Sequence, residues 1–346
     1  MPSSKAKLNQ HLNTYTQTDQ TDKTKDFLNG FFGVLSPHGK SNLVDDISQC
    51  SGDNEKLRQL VRSIETGLII PLKAHGGKTP TDITPSPRPG VEDSIENLKT
   101  ENIEPVSRSQ QSQLCSHCLE RDEFRCLATG RYSGSHPHPQ GAPTTYLEAA
   151  HIIPFTLGSF RHDDFEAVDR YATIWVNLSH YFPMLRQISF TSEHINSEKN
   201  ILMLSMMVHK EFGQFRIIFE ATGVTNQYRI KAFPDAVSDA VHFLPRNRLV
   251  KFRSRKGWEV PDPALLKIHA SIGNFLHMSG RAEAVDKVLR DFDDCGGLAT
   301  DGSSNIKDLL AVSRLSLLPI NVNKMPSTEE TRAELRQRFS TDRSGI

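Results

Sequence analysis

Apolar positions recur along this chain in several rhythms, and each rhythm predicts a different element. Residues 1–25 show none: Ser, Thr, Gln, Lys and Asp dominate, which predicts a disordered tail. Phe27, Leu28, Phe31, Phe32, Val34 and Leu35 then cluster, and Leu57, Leu60, Val61 and Ile64 recur at helical spacing within Asn54–Leu72. Residues 1–74 therefore read as a tail and a small helical region suited to docking a protein partner. Across 75–112, Pro80, Pro85, Pro87, Pro89 and Pro105 stand among polar and charged residues, a composition expected of a disordered linker. The pattern turns strand- and helix-forming over 113–295. Residues 296–346 read as a partly disordered extension whose one apolar run is Leu309–Ile320.

Within 113–295, a helix is expected to end near Arg121, followed by a turn at Cys126–Gly130 and a Gly/Pro/Ser/His-rich loop over Arg131–Pro143. Tyr146–Ile153 reads as a strand that Pro154 stops, because proline cannot donate to a ladder. Asp164–Arg186 carries Ile174, Trp175 and Leu178 on one helical face. Asn200–Leu204 is a second strand running into a helix over Met206–Phe212. Phe215–Glu220 and Tyr228–Phe233 form a hairpin, and Pro263–Asp291 is helical, with Leu265, Ile268, Ile272, Phe275 and Leu276 spaced for burial. Mixed, segregated elements of this kind predict an α+β fold.

The 346 residues suffice for one large domain or two ordinary ones. A hydrophobic content of 37% and a mean hydropathy of −0.45 agree with substantial disorder. Lys+Arg and Asp+Glu balance at 41 each, so nucleic-acid binding must come from local patches rather than global charge. Five unevenly spread cysteines argue against a secreted disulfide framework. No apolar run reaches the roughly 20 residues of a membrane span, and the polar start lacks a signal-peptide core. The expectation is an intracellular protein of the nucleus or cytoplasm, with no membrane partner.

The chemistry concentrates in two places. Glu148-Ala149-Ala150-His151-Ile152-Ile153-Pro154 puts a histidine where a strand breaks into a turn. About fifty residues later, Asn200 opens an apolar strand that leads to His209 in a helix; Asn196 is a weaker rival, because the strand is expected to start at Asn200. The order His…Asn…His resembles the HNH endonuclease family, whose ββα-metal unit holds one divalent ion beside a general-base histidine. Arg121-Asp122-x-x-x-Cys126-x-x-Thr129-Gly130, Ala149–Phe155, His209-x-x-Phe212-Gly213-x-Phe215 and Leu265–Gly280 are similar to the fungal branch of these proteins, itself similar to HNH domains of modification-dependent restriction enzymes. The likeness spans roughly 115–290. It implies a ββα-metal core with an added hairpin and C-terminal helices. It further implies His151 as general base, Asn200 as the residue holding the geometry, His209 as a metal ligand, and DNA as substrate.

Two positions depart from the family pattern. Ala150 stands where many relatives carry an Asp or His ligand, and Gly213 follows Phe212 where many have Asp. A single imidazole holds a hard ion such as Mg²⁺ weakly. Glu148, Asp122, His136 or His138 could substitute, and strand alternation gives Glu148 the face of position 150. Mg²⁺ or Mn²⁺ is the expected cofactor. A structural Zn²⁺ on Cys115, Cys118 and Cys126 is disfavoured, because no second Cys-x-x-Cys pair exists.

A basic run, Arg246, Arg248, Lys251, Arg253, Arg255 and Lys256, follows the hairpin. If extended, it would put Lys251, Arg253 and Arg255 on one face toward phosphates, with Phe252 and Trp258 either stacking on bases or anchoring the strand. Two readings follow: a metal-dependent endonuclease acting on DNA, and a degenerate HNH-like protein that binds nucleic acid or protein without cutting. Retained His151, Asn200 and His209 favour the first; Ala150 and Gly213 favour the second.

Overall fold

The computed structural model describes residues 3–74, 83–100, 111–158, 164–254 and 257–293. Two compact units separate at Ser313/Arg314, and the second lies outside the described residues, as does the whole C-terminal extension. The first unit begins with helices α1 (Ser4–Thr14), α2 (Thr24–Val34), α3 (Pro37–Gln49), α4 (Asn54–Ile64) and α5 (Ile70–Lys73), then α6 (Val91–Thr100) and α7 (Gln111–Arg121). Short strands β1 (Tyr132–Ser133) and β2 (Thr144–Thr145) precede β3 (Leu147–His151), α8 (Phe165–Tyr181), α9 (Met184–Gln187), β4 (Ile201–Ser205) and α10 (Met206–Gly213). Strands β5 (Ile217–Ala221) and β6 (Gln227–Ala232), α11 (Ser238–His242), β7 (Leu249–Lys251), α12 (Pro263–Met278) and α13 (Arg281–Asp293) complete it. The fold is α+β.

Helix starts follow from capping residues. Ser3, Asp53, Asp164 and Asp262 each accept a backbone N–H from the first turn of α1, α4, α8 and α12, satisfying donors that have no partner inside the helix. Between α4 and α5 the helix widens into a π turn at Glu65–Ile69. Pro71 cannot donate to the carbonyl of Gly67, and Asn177 Nδ2 of α8 donates there instead, at 3.3 Å.

Strands β3 and β4 pair antiparallel from Leu147↔Ser205 to His151↔Ile201, and α10 begins at once after β4. This is the ββα unit. A second sheet, β5-β6-β7, packs on α12, where a Cβ on Gly273 would come within 2.6 Å of Ile218. Strand β7 adds to the expected hairpin, Leu249 pairing with Arg229 and Lys251 with Gln227.

Several expectations change. The polar tail contains α1, whose Leu8 and Leu12 are buried one helical turn apart; a two-residue stripe is too narrow to register in the composition. Within the expected linker, residues 83–100 are ordered: α6 packs on α8, with Val91 buried and Ile95 and Leu98 against the core. Residues 75–82 and 101–110 lie outside the described residues. The N-terminal helices share one continuous core with the rest of the unit, since Phe27 and Phe31 pack edge-on to Phe275 of α12 at 5.0 and 5.4 Å. Lys73 at the end of α5 is 1% exposed and bonded to Asp286 of α13 at 2.7 Å. Its burial pushes the ammonium below the usual lysine range, while Asp286 opposes that shift.

Candidate active site

His151 closes β3, and the chain turns away immediately through Ile152-Ile153-Pro154. Two asparagines fix that turn from the segment just before β4. Asn200 is fully buried; its Oδ1 accepts from Ile153 N at 2.8 Å, and its Nδ2 donates to the carbonyls of Ile153 and Ile195 at 2.9 and 3.0 Å. Its own carbonyl accepts from Ile152 N. Asn200 touches backbone only, so it is a positioning residue. The imidazole is held by Asn196, whose Oδ1 accepts from His151 Nε2 at 3.1 Å. That bond places the ring proton on Nε2 and leaves the Nδ1 lone pair available. Burial pushes the His151 pKa below its usual value, Asn196 partly opposes this, and the nearby His209 adds to the lowering. The ring is therefore neutral at pH 7, as a general base must be.

His209 lies one helical turn into α10, beside Val208 and Phe212, which are buried and fix the helix against the core. Its Nδ1 is 2.7 Å from Glu148 Oε2 on β3. Of the four substitutes for the absent ligand at position 150, only Glu148 makes a contact with His209. Asp122 is taken up by a bidentate bond from buried Arg121, at 2.6 and 2.7 Å. His136 bonds Ser133 Oγ, and His138 bonds the carbonyl of His136, so both serve their own loop. Ala150 is itself fully buried, in the core behind the site.

No group of three or more His, Cys, Asp or Glu side chains is arranged to hold a metal among the described residues. Glu148 and His209 nevertheless supply one oxygen and one nitrogen donor at a shared, part-exposed spot. That pair fits a divalent cation whose remaining positions are filled by water and phosphate oxygens. Tyr146, just before β3, and Met206 and Met207 at the start of α10, 77%, 50% and 38% exposed, flank the pair in sequence.

Residues 126–220 match the family described as HNH endonuclease. This segment is similar to HNH endonuclease domains. It runs from the Cys126 turn through β3, β4 and α10 into β5, enclosing His151, Asn196, Asn200 and His209. Comparison of the chain with curated proteins and with solved structures found no match.

Around the HNH domain, the cysteines are packing groups. Cys118 is buried with Leu114, Ile201 and Met203, its thiol pushed up to about 12, and Cys126 Sγ accepts from Thr129 N and Ser205 N. The basic run divides. Arg246 is exposed and half-buried Arg248 donates to Val241 O; both line a cleft of about 930 Å³ that Arg229 and Lys231 of β6 also reach. Lys251 and Arg253 are exposed, and Arg255 and Lys256 lie outside the described residues. Phe252 is buried against Tyr228 at 4.8 Å and Trp258 stacks on His117 at 4.0 Å, so both aromatics are anchors.

The sequence reading gave Asn196 too little weight because it started β4 at Asn200. The strand starts at Ile201, and residues 192–200 form two 3-10 turns that bring Asn196 over His151.

Proposed function

We propose that the HNH domain is a divalent-metal-dependent endonuclease acting on DNA. The observation that carries this reading is the neutral His151 ring, fixed by Asn196 and set near the Glu148–His209 pair. In this scheme His151 Nδ1 takes the proton of the attacking water, and the Nε2 bond to Asn196 holds the ring in the required tautomer. Asn200 locks the turn that aims His151. Glu148 and His209 would hold the ion, which when bound supplies positive charge to the phosphate. The exposed Arg246, Lys251 and Arg253, with Arg248, attract the strand's backbone, and Tyr146, Met206 and Met207 form an apolar rim against sugar or base.

Supercoiled plasmid incubated with Mg²⁺ or Mn²⁺ tests the reading. Nicking is expected from the wild type, and His151→Ala should slow it about 10²- to 10⁴-fold while leaving DNA binding intact. Ala150, buried where a second carboxylate would otherwise stand, favours a second reading: an HNH-like module that binds nucleic acid without cutting. DNA binding with no nicking under any divalent ion would establish that alternative.

A further inference from the structure

Helix α8 borders two cavities that share much of their wall. One, of about 570 Å³, opens between α3, residues 88–91, α6 and α8; the other, of about 430 Å³, lies between α8, α9 and residues 189–193. Leu98, Trp175, Ser179 and Arg186 line both, so the two cavities adjoin along one cleft face. Either volume lies within the roughly 300–1,000 Å³ typical of small-molecule sites. The far end is the Thr191–Glu193 stretch, which leads into the turn carrying Asn196.

In the larger cavity two guanidiniums, Arg88 and Arg186, face one carboxylate, Asp46, while Glu193 stands at the far end of the second. Arg88 is 7% exposed, yet its partners are neutral: Nε donates to Ser86 Oγ at 3.1 Å, Nη2 to Asn177 Oδ1 at 2.7 Å, and the guanidinium lies 5.6 Å from the Tyr181 ring centre. Arg186 is exposed, and neither guanidinium forms an ion pair among the described residues. A guanidinium has five N–H donors, and those of Arg88 that remain are not sealed in apolar surroundings. The nearby carboxylate, Asp46, is already held by His180 Nε2 at 3.0 Å and Tyr181 OH at 2.9 Å. A buried cation without a counter-ion is costly unless something supplies the charge. Leu98 and Pro89 add apolar surface above buried Trp175 and Val91, and Gln49 and Asn97 add amides able to read a heterocycle edge.

We propose that this cleft binds a phosphorylated planar molecule of the mononucleotide class, its phosphate on Arg88 and Arg186 and its ring against Leu98 and Pro89. Guanidinium forks match the oxygens of a phosphate, which favours an oxyanion over a halide or an uncharged ligand. The same chemistry could come from a free nucleotide or from an unpaired nucleotide of a DNA strand. The site does not depend on the nuclease reading.

Calorimetric titration of the full-length, metal-free protein tests it, so no cleavage can occur. The probes are dAMP, inorganic phosphate and a 5′-phosphorylated single-stranded oligonucleotide. Expected is dAMP binding tighter than about 1 mM, at least about tenfold tighter than inorganic phosphate. Arg186→Gln, at an exposed position, should weaken it about 10- to 100-fold, the worth of a charge-assisted bond. Arg88→Gln should do the same if its melting temperature shows a folded protein, and Arg186→Gln decides the matter if not. Binding of the oligonucleotide without dAMP, weakened by Arg186→Gln, would assign the occupant to a DNA strand and support the site; oligonucleotide binding that Arg186→Gln leaves unchanged belongs to the nuclease surface and overturns it. Absence of binding by both nucleotide probes, equal affinity for inorganic phosphate, or unchanged binding by Arg186→Gln would overturn the proposal.

Discussion

Replacing Asn200 by alanine should damage both the fold and the reaction, and the structure sets the scale. The side chain satisfies three backbone groups in a fully buried setting: Ile153 N–H and the carbonyls of Ile153 and Ile195. Each such group left unpaired costs about 1–3 kcal/mol, and partial relaxation brings the total to roughly 3–5 kcal/mol. That is a large share of the 5–15 kcal/mol typical of a domain. Asn200→Asp keeps the acceptor for Ile153 N–H but turns a carboxylate oxygen toward two carbonyls, so it should be no better than alanine. Urea unfolding followed by Trp fluorescence gives the stability, with an unchanged denaturant slope required for a clean comparison. Nicking measured in the cold, where the variant is still folded, should also fall, because the turn that aims His151 is released. A loss below about 1 kcal/mol at unchanged slope would refute the reasoning, since it would mean those three groups find partners without Asn200.

Further expectations follow from the same geometry. Glu148→Gln and His209→Ala should each weaken Mn²⁺ binding by tenfold or more in calorimetry, and excess ion should partly restore nicking to both; unaltered affinity in Glu148→Gln would remove Glu148 from the site. The rate should stay on its plateau as pH falls to the usual histidine range and decline only below it, because the His151 pKa is lowered; an acid limb centred above about 6.5 would contradict the assignment. His269, buried between Phe212 and Phe215, has its pKa lowered to about 3, so the unfolded chain takes up its proton first as pH falls. Its contribution to stability is complete above about pH 6.5 and drains by about 1.4 kcal/mol per pH unit toward pH 3. His269→Phe should flatten that acid slope; an unchanged slope would place the sensitivity elsewhere.

The ββα unit was legible in sequence because it is local: an apolar strand stopped by Pro154, a second strand, and a helix with Val208 and Phe212 on one face. The His151 and His209 positions followed from that order. Glu148 remained one of several candidates because choosing it needed the contact with His209, which depends on how α10 lies across β3. Asn196 ranked below Asn200 for a different reason: two successive 3-10 turns have no hydrophobic period, and only their path brings its amide to the imidazole. The ordered stretch 83–100 was hidden by its prolines. Its order comes from partners distant in sequence, such as the Arg88–Asn177 bond and the packing of α6 on α8. Compositional arguments see only the segment itself.

The Lys73 bond to Ala282 and Asp286 has a consequence for how the protein is made. Its two ends are 209 residues apart along the chain, and Phe27 and Phe31 likewise wait for Phe275. At about 5–20 residues per second, a ribosome needs roughly 10–40 s to deliver the later partners. During that interval the first helices emerge with an apolar face and a lysine whose burial site does not yet exist. The HNH segment itself leaves the ribosome before the helix that closes the core. A nascent chain can thus hold every catalytic side chain and still lack the platform on which they are aligned.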